Sequence, residues 1–120
     1  TFKEKRKKIT KQVLNKQILS GLNKIKDKKK IIIAYEPIWS IGTGFIPKEV
    51  ELKNTTVFIK KTLKKIFKSK KTPRVLYGGS VDGGNIKELR RIKEIDGFLI
   101  GGASKSYKKF IDIIKNYYRY

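Results

Sequence analysis

Residues 31–44 read IIIAYEPIWSIGTG, and this stretch decides the fold class. The three isoleucines that open it predict a strand buried on both faces, which is typical of parallel sheets. The strand gives way to a loop at Glu36-Pro37, where the glycines that follow indicate irregular backbone. Parallel sheets bind their ligands beside the loops at the carboxyl ends of the strands. Glu36 is therefore a candidate functional residue.

Helical and extended patterns alternate along the rest of the chain. Apolar residues at three- to five-residue steps predict a long helix before residue 31. Pro47 is predicted to open the second helix, because the N–H that proline lacks is not needed there. Ser104 is predicted to cap the last helix. The predicted helices lie at 2–26, 47–70, 85–93 and 104–118, and the predicted strands at about 31–36, 74–78 and 97–101.

The order of these elements predicts an α/β fold with a parallel sheet and right-handed crossovers. It fits either an open doubly wound sheet or a (β/α)8 barrel. The same periodicity predicts which helical residues face inward. The predicted inner residues are Val50, Val57, Phe58, Leu63, Ile66 and Phe67 in the second helix, and Tyr107, Phe110, Ile111 and Ile114 in the last.

A formal charge of +21 makes the chain strongly basic, with 31 Lys and Arg against 10 Asp and Glu. Such a balance raises nucleic acid or an anionic membrane as a partner. However, 26 of the 31 basic residues are lysine, whereas nucleic-acid surfaces favour the bidentate and stacked contacts of arginine. Lysines on solvated helix faces are the simpler interpretation, so nucleic acid is not the expected partner.

Several residue types are missing, and their absence limits the chemistry. Without cysteine there is no disulfide framework, which suits a cytoplasmic protein. No apolar run approaches the roughly 20 residues that span a bilayer, so no membrane partner is expected. The chain also lacks histidine and methionine, and it begins at Thr1. We therefore expect the amino-terminal part of a longer protein to be missing.

Two Gly-Gly pairs follow the second and third predicted strands. Gly78-Gly79-Ser80 and Gly101-Gly102 each precede a predicted helix. Glycine lets the backbone approach an anion, and a helix amino terminus offers free N–H groups. Together the pairs fit the phosphate site that many barrels build from their last two loops. Neither a Walker loop nor a cluster of metal ligands stands out, so neither a metal nor a cofactor is expected.

A lone glutamate is more often solvated or paired with a cation than catalytic. The neighbours of Glu36 favour a functional role, because the loop after it has an apolar middle between a proline and two glycines. Such a loop is typical of a lid that folds over a site and excludes water.

Three segments resemble the signature segments of the triosephosphate isomerase family. They are AYEPIWSIGTG at 34–44, LYGGSV at 76–81 and IDGFLIGGAS at 95–104, and their order and spacing are also similar. The opening TFKEKR is similar to the family segment that follows barrel strand five. The resemblance implies the carboxy-terminal half of a TIM (β/α)8 barrel. Residues 1–120 would then be a partial TIM-barrel domain whose amino-terminal half is missing.

The resemblance also implies roles for individual residues. Glu36 matches the general base that interconverts dihydroxyacetone phosphate and glyceraldehyde 3-phosphate, a step of glycolysis and gluconeogenesis. It implies no metal or cofactor, a cytoplasmic location and a homodimer when the protein is full length. The matching lid residues are Pro37, Ile38, Trp39, Ser40, Ile41, Gly42 and Thr43, and the matching phosphate-binding residues are Gly42, Ser80, Gly101 and Gly102.

The chain departs from the family pattern in ways that affect activity. The family's electrophilic histidine is absent, and its site Asn and Lys belong to the missing half. Loss of positioned acid–base groups costs on the order of 10²- to 10⁴-fold in rate each, so the isolated chain is expected to be inactive. Ser40 stands where alanine is common, and Lys60 stands where the family tends to carry an arginine that could pair with Asp96.

Two other functions remain open at this point. A basic half-barrel that has lost catalysis could bind phosphate or nucleic acid, with an affinity that falls as salt is added. A different barrel enzyme could share only the phosphate site. The intact AYEPIW segment argues against the second, because a phosphate site alone requires neither Glu36 nor the lid.

Overall fold

A computed structural model describes residues 1–119 as alternating helices and strands. Short 3₁₀ turns occupy Lys28–Lys30, Ile38–Ser40 and Gly102–Lys105. In that part of the chain, no helix is both long enough and apolar enough to cross a bilayer. The helices are α1 (Phe2–Arg6), α2 (Thr10–Leu22), α3 (Glu49–Phe67), α4 (Ile86–Leu89) and α5 (Tyr107–Tyr118), and the strands are β1 (Ile32–Tyr35), β2 (Arg74–Tyr77) and β3 (Gly97–Phe98).

The three strands form one parallel sheet in the order β1-β2-β3. Ile32 pairs with Arg74, and Leu76 pairs with Gly97. Because all three strands run the same way, their carboxyl ends meet at one edge of the sheet. The parallel sheet with alternating helices confirms the predicted α/β class, although β3 ends at Phe98 rather than near 101.

The core lies between α3 and the sheet. Leu52 and Leu63 of α3 are 0% exposed, and Val75 and Tyr77 of β2 are 1% exposed. Ile86 and Leu89 of α4, and Ile92 just after it, belong to the same cluster.

The buried face of α3 differs from the predicted one. Val50, predicted to face inward, is 68% exposed, whereas Thr55, Thr56 and Thr62 are buried. The Thr56 and Thr62 hydroxyls donate to backbone carbonyls one turn back, at 2.8 and 3.1 Å. Threonine can line a core in this way because its polar atom is bonded within its own helix. A pattern that counts only apolar residues therefore misses the threonines of this face, which lie among Leu52, Ile59 and Leu63.

The predicted single helix over 2–26 is wrong, because the chain forms two helices and the second ends at Leu22. Lys8 adopts a left-handed backbone with φ of 56°. The Ile9 N–H donates across this turn to the Glu4 carbonyl at 3.2 Å. This arrangement ends α1 in the manner of a left-handed helix cap, although lysine rather than glycine occupies the position.

Two further predictions of burial fail at the surface of the sheet and on α5. Ile32 is 64% exposed, so β1 is not buried on both faces. On α5 the one buried residue is Ile113. The Phe98 ring lies 6.2 Å from that of Tyr117, between centroids, but most of the apolar face of α5 is exposed. The four residues predicted to face inward, Tyr107, Phe110, Ile111 and Ile114, are each at least 38% exposed.

The start of α5 also differs from the prediction. The cap is Ser106, whose Oγ accepts a hydrogen bond from the Lys109 N–H at 3.4 Å. Ser104 instead donates to the Gly101 carbonyl at 2.6 Å within the preceding 3₁₀ turn. Likewise α3 begins at Glu49, two residues after Pro47.

Asp96 connects α3 to the sheet. Its Oδ1 lies 2.9 Å from the Lys60 Nζ, and its Oδ2 accepts the Val75 N–H at 2.8 Å. Lys60 thus makes an ion pair with Asp96 at the position where the family tends to carry an arginine. The pair is partly exposed, so we assign the ion pair itself about 0–1 kcal/mol.

Tyr35 makes the stability of the fold sensitive to alkaline pH. Burial, followed by the Glu51 carboxylate and Tyr77, raises the pKa of Tyr35 to about 12, against about 10 unfolded. The neutral phenol therefore stabilises the fold fully below pH 10, and this contribution is lost as pH rises from 10 to 12. Relative to Tyr35→Phe, the chain should lose about 2–3 kcal/mol of unfolding free energy over that interval.

Urea titrations at pH 9 and 12 measure this difference. Tyr107→Phe is the matched control, since the Tyr107 side chain is 72% exposed. Equal pH dependence for the chain and Tyr35→Phe would contradict the assignment.

Candidate functional site

Glu36 lies at the carboxyl edge of the sheet, directly after β1. The neighbouring strand ends beside it, where the Gly78 N–H donates to the Tyr35 carbonyl at 2.9 Å. A Cβ atom on Gly78 would lie 2.6 Å from Glu36 Cγ. Gly78 therefore has to be glycine for the Glu36 side chain to cross the end of β2. The Glu36 side chain is exposed.

The lid, residues 37–43, is held together by its own hydrogen bonds. The Ser40 N–H donates to the Pro37 carbonyl at 2.7 Å, and the Thr43 Oγ1 donates to the Trp39 carbonyl at 3.0 Å. Gly42 has a φ of 64°, a conformation that strains any residue with a side chain. These features give the lid one compact shape.

The Trp39 side chain anchors the first half of the lid against α1. Its indole is 8% exposed and lies 5.5 Å from the Phe2 ring, between centroids. The Lys5 Nζ lies 3.8 Å from the centre of the same indole, within the range of a cation–π contact.

The second half of the lid lies on the glycine loop after β2. The Gly44 N–H donates to the Ser80 Oγ at 3.1 Å, and that hydroxyl donates in turn to the Ser40 carbonyl. The Ser80 N–H donates to the Ser40 Oγ at 3.3 Å. Ser80, predicted only as a phosphate contact, is thus also the residue on which the lid rests.

A cavity of about 560 Å³ opens beside this contact. Gly42, Ser80 and Gly102 line it, so the structure brings together three of the four predicted phosphate-binding residues. Gly101 precedes Gly102 on the same loop. Lys109 of α5 adds a positive charge to the wall, and the carboxylates of Asp82 and Asp112 also border it.

Glu36 lines a different cavity, of about 260 Å³, together with Pro37, Ile38 and Trp39. The predicted base and the predicted phosphate contacts therefore stand at opposite ends of the lid. Within residues 1–119, no three His, Cys, Asp or Glu side chains gather where they could hold a metal ion.

Comparison with known proteins agrees with this arrangement. The family model described as triosephosphate isomerase matches residues 1–117. The chain belongs to the triosephosphate isomerase family.

Relatives with that name come from several bacteria. The triosephosphate isomerase of Thermodesulfovibrio yellowstonii is 40% identical over 116 residues, which are 96% of this chain and 47% of that protein. Those of Mycoplasma mobile and Chlamydia abortus are 46% identical over 108 residues and 36% identical over 121 residues. The matches cover 88% and 99% of this chain, and 41% and 48% of those proteins. The chain spans about half the length of these relatives.

Membership of the triosephosphate isomerase family confirms the predicted fold, a half of a TIM barrel, and identifies the family as one of isomerases. The roles of Glu36, the lid and the phosphate-binding residues stay predictions. Sequence reasoning missed the Tyr77 side chain, and it named Ser40 as a lid residue without predicting its contact with Tyr77. Their oxygens lie 2.8 Å apart although the residues are 37 positions apart in the chain, so no local spacing reports the contact.

Proposed function

We propose that this chain carries the base, the lid and the phosphate contacts of a triosephosphate isomerase. One observation supports this most directly. The lid that begins beside Glu36 rests on Ser80, and Gly42, Ser80 and Gly102 line one cavity beside that contact. A triose phosphate has its reacting carbons at one end and its phosphate at the other, so it needs groups at both ends of the lid.

The reaction requires one carboxylate to move a proton between adjacent carbons. Glu36 would take the proton from the carbon beside the carbonyl and return it to the neighbouring carbon, through an enediolate. Water would promote side reactions of that intermediate, including loss of phosphate, so a lid that excludes water protects the product. Backbone N–H groups of Gly42, Gly101 and Gly102 would hold the phosphate with those of Ser80.

The chain supplies only part of this chemistry. It has no histidine to polarise the substrate carbonyl. We therefore expect residues 1–120, as a partial TIM-barrel domain, to be inactive until joined to an amino-terminal half. A homodimeric full-length protein and a cytoplasmic location belong to the same proposal.

Phosphoglycolate tests the phosphate site in the chain as it stands, because it combines a phosphate with a carboxylate that resembles the enediolate. Added to ¹⁵N-labelled chain, it should shift the amide resonances of Gly42, Ser80, Gly101 and Gly102 in a saturable way. Unphosphorylated dihydroxyacetone is the control ligand and should leave them in place. Shifts confined to exposed lysines elsewhere would contradict the proposed site.

The basic half-barrel without catalysis makes a different prediction. It requires the isolated chain to bind single-stranded DNA with an affinity that falls steeply as salt is raised. Phosphoglycolate binding without DNA binding at low salt would favour the isomerase site over this alternative.

A further inference from the structure

Ser40 is a buried polar residue of the lid, next to the buried Trp39. Its side chain is 0% exposed, whereas the lid residues Ile38 and Ile41 are 66% and 47% exposed. The lid therefore turns a hydroxyl inward while two of its apolar side chains stay in water. Hydrophobic burial alone would give the opposite arrangement, so hydrogen bonds must hold Ser40 in place.

Three groups surround the Ser40 hydroxyl. It donates to the Phe45 carbonyl at 2.5 Å and accepts the Ser80 N–H at 3.3 Å. The Tyr77 Oη lies 2.8 Å away. A serine hydroxyl has one hydrogen and two lone pairs, so Tyr77 is the donor in this last contact and the Ser40 hydroxyl is fully used.

The three partners belong to three different segments. Phe45 follows the lid, Tyr77 ends β2, and Ser80 closes the glycine loop. The Tyr77 side chain is 1% exposed, so its hydroxyl has no access to bulk water while the lid is in place. Burial raises the pKa of Tyr77, which keeps the phenol protonated and able to donate.

We infer that the Ser40 hydroxyl is a latch, a positioning group that holds the lid down on the end of β2 and on the glycine loop. The inference rests on the proposed function, in which the lid must open to admit a triose phosphate. The latch sets the fraction of time that the lid is open. The Ser80 N–H makes the longest of the three bonds, so it is the group most readily transferred to a phosphate oxygen when substrate binds.

Hydrogen exchange at Gly44 measures the latch in the chain as it exists. The Gly44 N–H donates to the Ser80 Oγ across the contact between lid and loop, and it does not touch the Ser40 hydroxyl. In Ser40→Ala, exchange at Gly44 should accelerate on the order of tenfold or more, because the buried Tyr77 hydroxyl loses its partner in the closed state. Amides in the middle of α3 should exchange as before, which separates lid opening from global destabilisation.

The fluorescence of Trp39, the single tryptophan of the chain, provides a second measurement of lid opening. Acrylamide should quench its fluorescence more strongly in Ser40→Ala. Ser104→Ala is the matched control, because that exposed hydroxyl also bonds a backbone carbonyl, but the carbonyl is that of Gly101 and not one of the lid. It should change neither Gly44 exchange nor quenching.

Tyr77→Phe removes the hydroxyl on the other side of the latch and leaves the ring in the core. It should accelerate Gly44 exchange as well. In the double variant, exchange should accelerate by less than the product of the factors for the two single variants, because both substitutions remove the same hydrogen bond. Unchanged Gly44 exchange in Ser40→Ala, or multiplicative effects in the double variant, would overturn the latch. If Ser40→Ala does not fold, Gly44 exchange in Tyr77→Phe decides alone, and an unchanged rate there overturns the inference.

The latch and the proposed function fail separately. Faster Gly44 exchange in Ser40→Ala combined with no binding of phosphoglycolate would support the latch and refute the phosphate site. Phosphoglycolate binding to the chain, combined with Gly44 exchange that Ser40→Ala does not change, would support the phosphate site and refute the latch.

Discussion

Glu36→Gln should lower isomerase turnover by a factor on the order of 10²–10⁴. The assay uses a chimera in which this chain replaces the matching segment of the Mycoplasma mobile relative, which is 46% identical over 108 residues. The rest of the chimera would supply the histidine that the family resemblance implies and that this chain lacks. Glutamine keeps the size of the side chain and its place beside Gly78, and removes only the ability to accept a proton from carbon.

The split between kcat and KM distinguishes loss of the base from loss of the fold. Substrate phosphate would be held at the other end of the lid, so KM should change little while kcat falls. Glu36→Asp keeps the carboxylate but draws it back by one methylene, and it should give an intermediate loss. Glu49→Gln, in the exposed first turn of α3, is the matched control and should leave both constants unchanged. Turnover by Glu36→Gln equal to that of the parent chimera would refute the assignment.

Gly79→Ala should destabilise the chain by about 4 kcal/mol, combining overpacking with a buried hydroxyl left without its partner. A Cβ atom at this position would overlap the Tyr77 Oη and lie 2.6 Å from the Ser40 Oγ. Both side chains are at most 1% exposed, so neither has room to move aside. The added methyl would have to break the contact between Ser40 and Tyr77.

Two other glycines serve as controls for this substitution, with stability measured by urea unfolding. A Cβ on Gly83 would overlap a carboxylate oxygen of Asp112, but that side chain is exposed and free to swing away. A Cβ on Gly102 would meet nothing within 4 Å. Gly83→Ala and Gly102→Ala should therefore cost well under half as much. A mild Gly79→Ala would mean that the loop after β2 is looser than its contacts indicate.

The carboxyl edge of the sheet could be predicted because it follows from local order. The β-branched run before Glu36 and the glycines after Tyr77 identify strands and loops by themselves. Parallel pairing then brings those loops to one edge, whatever the details of packing. Glu36 and Ser80 could be placed at that edge for this reason.

The buried faces of the helices could not be predicted with the same success. In α5 the apolar residues form one wide face, and periodicity cannot say which part of that face meets a neighbour. Ile113 is buried because α5 packs on α4 and the preceding 3₁₀ turn, while Ile111 and Ile114 lie outside that contact. The break at Lys8 depends on a left-handed backbone that lysine rarely adopts, so its residue type provides no signal.

The sheet ends, within residues 1–119, at a β1 strand that pairs only with β2 and exposes Ile32. An unpaired strand edge with an apolar side chain is a surface on which two molecules can join. At low ionic strength the charge of +21 keeps such molecules apart. Near physiological salt the Debye length falls to about 8 Å, and this repulsion weakens before the molecules touch. The lysine-rich surface thus protects the chain from self-association in dilute buffer, and this protection weakens as salt is added.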